Sequence, residues 1–290
     1  MSICFNSRCM ECHLHRNLET ARQLGDAETA AAFGRELMKH YIAMPEGVSS
    51  CWMEPHTADL FQRFYGVGPE RFQKEKEQSN AFALSRMESI RNMVEQAEDP
   101  VFAGLQFAIL GNYLDFSALQ GKVSFTELEQ MLRQALEMKL DQQCYASFCA
   151  KLSAGRKLLY LTDNAGEIVF DRIFAEQIAK HYPQLQITFC VRGGPVVNDA
   201  TREDAQAVGI PFPVIDSGNN IGGTELSLLG PQAKQALEEA DVILAKGMGN
   251  TETMFGCGFP VYYAFLVKCE RFVEYFEKPL MTPMFVKERI

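Results

Sequence analysis

The spacing of apolar residues along the chain changes near residue 150. Before that point, segments 18–23, 27–43, 59–64 and 72–97 carry apolar residues three and four apart, with polar residues between. That is the pattern of helices with one buried stripe. Segment 102–119 is more uniformly apolar and reads as a buried helix. Segment 125–140 is amphipathic again, and Val123-Ser124 ahead of Glu127 gives it a start like a capping box. From Lys157 onward the texture differs. Short apolar runs at 157–162, 186–191, 212–215 and 242–245 alternate with helical patterns at 168–182, 199–208 and 231–240. A parallel strand is covered on both faces, so it reads as a continuous apolar run. The alternation predicts an α/β fold: a Rossmann-like three-layer α/β/α domain with a mainly parallel sheet over 151–290, preceded by an all-helical N-terminal region over 1–150. Segment 261–276 reads as a further helix, and 279–281 as a last edge strand.

Each predicted strand ends in polar residues. The first delivers Asp163, Asn164 and Glu167, and the second Arg192, Asn198 and Asp199. The third delivers Asp216 with Ser217, Gly218 and Asn219, and the fourth Lys246, Gly247, Gly249, Asn250 and Glu252. In a parallel sheet these ends lie on one edge, where ligands bind. Asp163, Asn164 and Asp199 offer hard oxygen donors for a divalent cation. Lys246, Arg192 and the backbone of the glycine-bearing loops suit a phosphate. Each signal also has a plainer reading. Asp163 alone serves equally as the cap of the following helix. Asp216, in an Asp-Ser-Gly-Asn-Asn run, serves equally as a turn residue. Asp171, one turn after Glu167, reads as a solvated helix residue, and Asn112 and Asp115 as a buried polar pair.

Composition narrows the partners. The chain has 28 basic and 37 acidic residues in 290, a formal net charge of −9, which disfavours nucleic-acid binding through a basic surface. No apolar stretch is long enough for a membrane span, and residues 1–16 have no leader-like core. Nine cysteines, an odd number, read as free thiols in a reducing, cytoplasmic setting. Cys9-x-x-Cys12, followed by His13 and His15, forms half of a zinc or redox cluster, with no second Cys-x-x-Cys downstream.

Taken together, several segments resemble one family. They are Asp163-Asn164-Ala165-Gly166-Glu167, Arg192 with Pro195 and Asn198-Asp199-Ala200-Thr201, Asp216-Ser217-Gly218, Lys246-Gly247-Met248-Gly249-Asn250-Thr251-Glu252 and Lys268-Cys269. In the helical half, Lys76 with Ser79-Asn80 and Gly111-Asn112-Tyr113-Leu114-Asp115-Phe116 belong to the same set. The chain is similar to the metal-dependent damage-control phosphatases, formerly called domain of unknown function 89. Its Cys9-Met10-Glu11-Cys12 resembles the paired cysteines of the mostly prokaryotic branch. Residues 72–76, Phe-Gln-Lys-Glu-Lys, lack the usual Asp-Pro-Tyr lead-in. The resemblance implies a divalent metal (manganese, cobalt, nickel or magnesium) on Asp163, Asn164 and Asp199. It also implies hydrolysis of phosphate monoesters of small metabolites.

The expected roles follow. Asp163, Glu167, Asp216 and Lys246 are the catalytic candidates. Arg192, Asn198, Lys246, Gly247, Asn250, Asn112 and Asp115 are the candidates for substrate and phosphate. A small phosphorylated metabolite is the expected partner, without nucleic acid or membrane. Two other readings stand beside this one. A Rossmann-type nucleotide or S-adenosylmethionine enzyme requires a G-x-G-x-x-G after the first strand, where Asp163-Asn164-Ala165-Gly166-Glu167 stands instead. A non-enzymatic metal or redox module requires Cys9 and Cys12 to carry the function.

Overall fold

The computed structural model describes residues 3–114, 130 and 132–288. Five helices come first: α1 (Ser7–Leu24), α2 (Ala27–Ala43), α3 (Met53–Tyr65), α4 (Gln73–Glu95) and α5 (Pro100–Gly111). Their starts have local causes. The side chains of Asn6, Asp26 and Asp99 each accept a backbone N–H of the first turn, and Pro100 sits where no donor is needed. Helices α1 to α3 close on their own core around Phe33, Leu37, Leu60 and Phe61. Helix α5 is buried nearly all round, as its uniform apolarity requires.

Helix α6 (Gln142–Ala154) leads into strand β1 (Lys157–Leu161). The chain then alternates: α7 (Glu167–His181), β2 (Gln186–Val191), α8 (Arg202–Val208), β3 (Val214–Asp216), α9 (Pro231–Glu239), β4 (Val242–Lys246), α10 (Gly247–Met254), β5 (Val261–Leu266), α11 (Glu270–Phe276) and β6 (Pro283–Lys287). The sheet order is β3-β2-β1-β4-β5-β6, parallel except for β6, which runs antiparallel to β5. This is a doubly wound sheet whose order reverses between β1 and β4.

Side-chain parity divides the sheet into two faces. Leu158, Tyr160, Phe189, Leu244 and Tyr262 pack toward α5, α6 and α7. Leu159, Leu161, Cys190, Ile243 and Tyr263 pack toward α9, α10 and α11. Three layers result, and burial of each large apolar side chain in them contributes about 1.5–3 kcal/mol. Helix α5 belongs to the sheet's own core, so residues before 150 help build the three-layer unit.

Two expectations at the C-terminal end need correction. The segment 261–276 is strand β5 followed by α11, because Val261–Leu266 is a strand buried on both faces and carries no helical period. The edge strand lies at Pro283–Lys287, beyond 279–281. Asp115, and residues 125–129 and 131 of the helix expected over 125–140, lie outside the described residues.

Candidate active site

The switch point of the sheet places the ends of β1 and β4 side by side, and the loop after β2 folds across them. Ala200 N donates to Asp163 O (2.7 Å) and Ala165 N to Asn198 O (2.9 Å). A single antiparallel bridge pairs Asn164 with Asp199. Asp163, Asn164 and Asp199, thirty-odd residues apart in sequence, are thereby held together by backbone.

The capping reading of Asp163 fails on geometry. Helix α7 starts after Gly166 with no side-chain cap, and α8 is capped by Thr201 with Asp204 in a capping box. The Asp163 carboxylate instead accepts from Asn112 Nδ2 (2.9 Å) and Asn164 Nδ2 (2.8 Å) through Oδ2. Its Oδ1 lies 3.8 Å from Arg192 Nη2. Gly247 is needed beside it. With φ near +78°, a Cβ on Gly247 would stand 1.8 Å from Asp163 Oδ2.

Arg192 connects the acids. Its Nε donates to Asp199 Oδ2 (2.6 Å) and its Nη1 to Asn250 Oδ1 (3.3 Å). Its Nη2 is buried without a hydrogen-bond partner among the described residues. A buried, orphaned guanidinium N–H facing an acidic pocket is what an oxyanion site needs. Burial, and then the charges of Glu167 and Asp199, hold the Asp163 carboxyl well above the usual carboxylate range. Lys268 and Arg192 pull it down without outweighing these causes.

Lys246 does not lie where a phosphate contact requires it. Residue 246 shares the parity of Leu244, so its side chain turns toward α5 and α7 and is fully buried. Nζ donates to Ala108 O (2.8 Å), Glu167 Oε1 (2.5 Å) and Asp171 Oδ1 (2.8 Å), which uses all three of its donors. Burial would lower its pKa, but the two carboxylates outweigh it and raise it. Lys246 therefore braces Glu167 from behind. Glu167 in turn accepts from Asn112 Nδ2 (2.8 Å) and Asn164 Nδ2 (3.2 Å) through Oε2. Both its oxygens are engaged, so Glu167 orients Asn164 and is closed to a reacting water.

Asp171, expected as a solvated residue, is fully buried and also accepts from Tyr160 Oη (2.7 Å). Burial lifts it to about 7 against the pull of Lys246. Asn250 donates to Thr162 O (2.9 Å) and Lys246 O (2.7 Å), which ties β1 to β4 beneath the pocket. Asp216 is a further correction. Its carboxylate accepts from Arg202 Nε (2.6 Å) and Gly218 N (3.0 Å), so it closes a turn at the edge of the sheet. Asn198 is buried within the clasping loop. Cys9 and Cys12 lie on α1, and among the described residues no group of three or more His, Cys, Asp or Glu side chains is arranged there to hold a metal ion.

Two further groups stand outside the expected catalytic and binding set, although Lys76 and Asn80 belong to the segments that carry the resemblance. Lys76 on α4 pairs with Asp204 (2.6 Å), and Asn80 both donates to Asp204 (3.0 Å) and accepts from Gly166 N (2.6 Å). This buried network fixes the turn that carries Asn164. Glu54 on α3 accepts from Gly222 N (2.5 Å) and lines a cavity of about 920 Å³ next to the loop Pro195–Val197. Burial and the charge of Asp199 lift its carboxyl to about 8. Val197, two residues before Asp199, has φ near +43°, a strained value for a β-branched residue.

The structure therefore defines a Rossmann-like α/β/α domain with an acidic, arginine-bearing crevice at its switch point. A glycine-rich dinucleotide turn is absent from that crevice, where carboxylates stand instead. Residues 5–282 match the family model of the damage-control phosphatase ARMT1-like domain, and the chain belongs to the damage-control phosphatase family. A damage-control phosphatase of Archaeoglobus fulgidus is 31% identical over 271 residues, covering 90% of this chain and 91% of that protein. An uncharacterized protein of Methanocaldococcus jannaschii is 34% identical over 213 residues, covering 69% of this chain and 67% of its own length. The crystal structure of a domain-of-unknown-function-89 protein from Pyrococcus horikoshii superposes with a TM-score of 0.81 at 23% identity, covering 98% of this chain and 99% of that one. That likeness bears out the fold. Among the described residues no helix is long and apolar enough to cross a membrane.

Proposed function

We propose that this chain is a metal-dependent phosphatase that hydrolyses phosphate monoesters of small metabolites. The observation that carries the reading is the backbone-bridged set Asp163, Asn164 and Asp199 beside Arg192 Nη2, which lies 3.8 Å from Asp163 and has no hydrogen-bond partner among the described residues. The donor set fits a divalent cation such as Mn²⁺, Co²⁺, Ni²⁺ or Mg²⁺. It offers two carboxylates and an amide oxygen, in a pocket where burial and like charge leave Asp163 short of a cation. When bound there, the metal would act as a Lewis acid on the phosphoryl group.

The chain's own residues supply the rest. Arg192 Nη2 takes charge on the phosphoryl oxygens, and the start of α10 at Gly247, beside Asp163, adds the partial positive charge of a helix N-terminus. The carboxylates of Asp163 and Asp199 orient the attacking water and accept its proton. The water oxygen bonds to phosphorus as the ester P–O bond breaks, and the carboxylate passes the proton taken from water to the leaving oxygen. Lys246, Glu167 and Asn112 hold Asp163 and Asn164 in register throughout.

The test is hydrolysis of p-nitrophenyl phosphate by metal-stripped protein given each of Mg²⁺, Mn²⁺, Co²⁺ and Ni²⁺. Turnover restored by a metal and lost in Asp163→Ala is the expected result. Equal turnover without metal, or in the folded Asp163→Ala variant, would sink the assignment.

A further inference from the structure

The cavity of about 920 Å³ lies between the helical region and the sheet edge. Its inner end is formed by Glu54 and by the loop Pro195–Val197, which runs directly into Asn198 and Asp199. Its walls are apolar where Phe61, Phe72 and Val67 face it. The space is several times what a phosphate alone fills, so it is shaped for the organic part of a substrate.

The charges around the cavity are uneven. Glu19 is paired with Arg22, and the Glu54 carboxyl is turned to Gly222 N, where a Cβ would strike it at 2.5 Å. Glu75 has a partner of its own. His13 is held neutral at pH 7, because burial, and then Arg16, lower it to about 4. Arg16 and Arg71 are the cations of the wall, and neither has a carboxylate within ion-pair distance among the described residues. Glu70, adjacent to Arg71, accepts from Gly68 N (2.7 Å) and acts on Arg71 only from beyond ion-pair distance. The Arg71 guanidinium lies 4.2 Å from the centroid of Phe61 and 4.7 Å from that of Phe72. Stacking against two rings fixes its plane at little further entropic cost and leaves its edge free for a planar or phosphoryl anion.

We propose that Arg71 binds a second anionic group of the substrate, so that the preferred class is a phosphate monoester carrying another phosphate or a carboxylate away from the reacting phosphate. The proposal rests on the phosphatase reading above and assigns the substrate class of that same site. Arg71 is a specificity residue: it touches the far end of the substrate and no reacting atom.

The test compares the metal-loaded full chain with its Arg71→Gln and Arg71→Lys variants on four substrates. Glucose 6-phosphate and p-nitrophenyl phosphate carry no second anion, 6-phosphogluconate carries a carboxylate, and fructose 1,6-bisphosphate carries a phosphate. The wild type should favour the last two. Arg71→Gln should raise their KM on the order of tenfold or more, as expected for a lost charge-assisted hydrogen bond, and move the first two by less than about twofold. Arg71→Lys should fall between, because it keeps the charge and loses the fork. Thermal shift by each substrate, read without turnover, should show the same ranking. Whichever of the two doubly charged substrates is more sensitive to the variants identifies the second group. A wild type without preference, or an Arg71→Gln variant that slows all four substrates alike, overturns the proposal while leaving the phosphatase reading standing. A wild type that hydrolyses none of them with any metal overturns that reading, and this proposal with it.

Discussion

Replacing Lys246 by Met separates a bracing role from a phosphate-binding one. The side chain is fully buried and its ammonium lies 2.5 Å from Glu167 and 2.8 Å from Asp171. Met keeps the volume and removes the charge, which strands two carboxylates out of reach of water. Breaking a buried pair in this way costs about 3–5 kcal/mol. At roughly 2–4 °C per kcal/mol for a chain of this order of size, Tm should fall by on the order of 10 °C. The loss should depend on pH, with a definite sign. Without Lys246 the buried Asp171, already raised to about 7 with the lysine present, loses the cation that pulls it down and rises further above its unfolded value. Such groups favour the folded state below their unfolded pKa, and that contribution disappears as pH rises through the folded value. The variant should therefore be close to wild type near pH 5.5 and progressively weaker toward pH 8.5 in urea denaturation. In kinetics kcat should fall with KM nearly unchanged, and adding Asp171→Asn should restore part of the stability. A deficit independent of pH, or a raised KM with normal stability, would refute the bracing role.

Three further outcomes follow from the same geometry. Gly247→Ala should cost at least about 10²-fold in kcat with a modest drop in Tm, since its Cβ would displace Asp163 from a position set to a fraction of an ångström; near-normal kcat would contradict the contact. Asp216→Asn should change stability by less than about 1 kcal/mol and leave metal-dependent turnover intact, because it removes a partly exposed pair with Arg202; abolished turnover would return Asp216 to the catalytic set. In metal-free protein, burial lifts Glu252 to about 7, and burial with Asp199 lifts Glu54 to about 8, both from near 4.5. Urea-denaturation stability should therefore fall by a few kcal/mol as pH rises from about 5 to 8.5, and a flat or rising profile would show that these groups are ionised in the folded state.

The parts of this architecture that the sequence disclosed are those governed by local rules. Strands β1, β2 and β4 are apolar runs that stop at a polar residue, because the sheet edge is where burial ends. Strand β5 was missed for the same reason that it is stable. Val261–Leu266 is apolar on both faces, so it has neither the period of a helix nor that of a half-exposed strand. Lys246 was placed with the wrong neighbours because a strand end was treated as facing the crevice. Counting by twos from Leu244 would have turned it toward α5 and α7. Glu167 and Asp171, four apart among the apolar residues Ile168, Val169, Phe170, Ile173 and Phe174, were the available sign that a buried cation lay opposite. Glu54 and Arg71 had no such sign, since their proximity to Asp199 and Phe61 depends on how α3 and the Pro69–Phe72 turn pack.

Asn112 gives the centre a history as well as a shape. One amide group donates to Asp163 and Glu167, 51 and 55 residues away, and accepts from Leu266 N, 154 residues away. The first two links need α5 to meet the end of β1 and the start of α7, the third needs β5 as well, and closing loops of that length is slow. The pocket is thus a product of the last stage of folding, complete only once the helical and sheet halves have docked. Asn112→Ala should accordingly speed unfolding and leave the refolding rate nearly unchanged in stopped-flow denaturant jumps, whereas slowed refolding would place this junction in the nucleus.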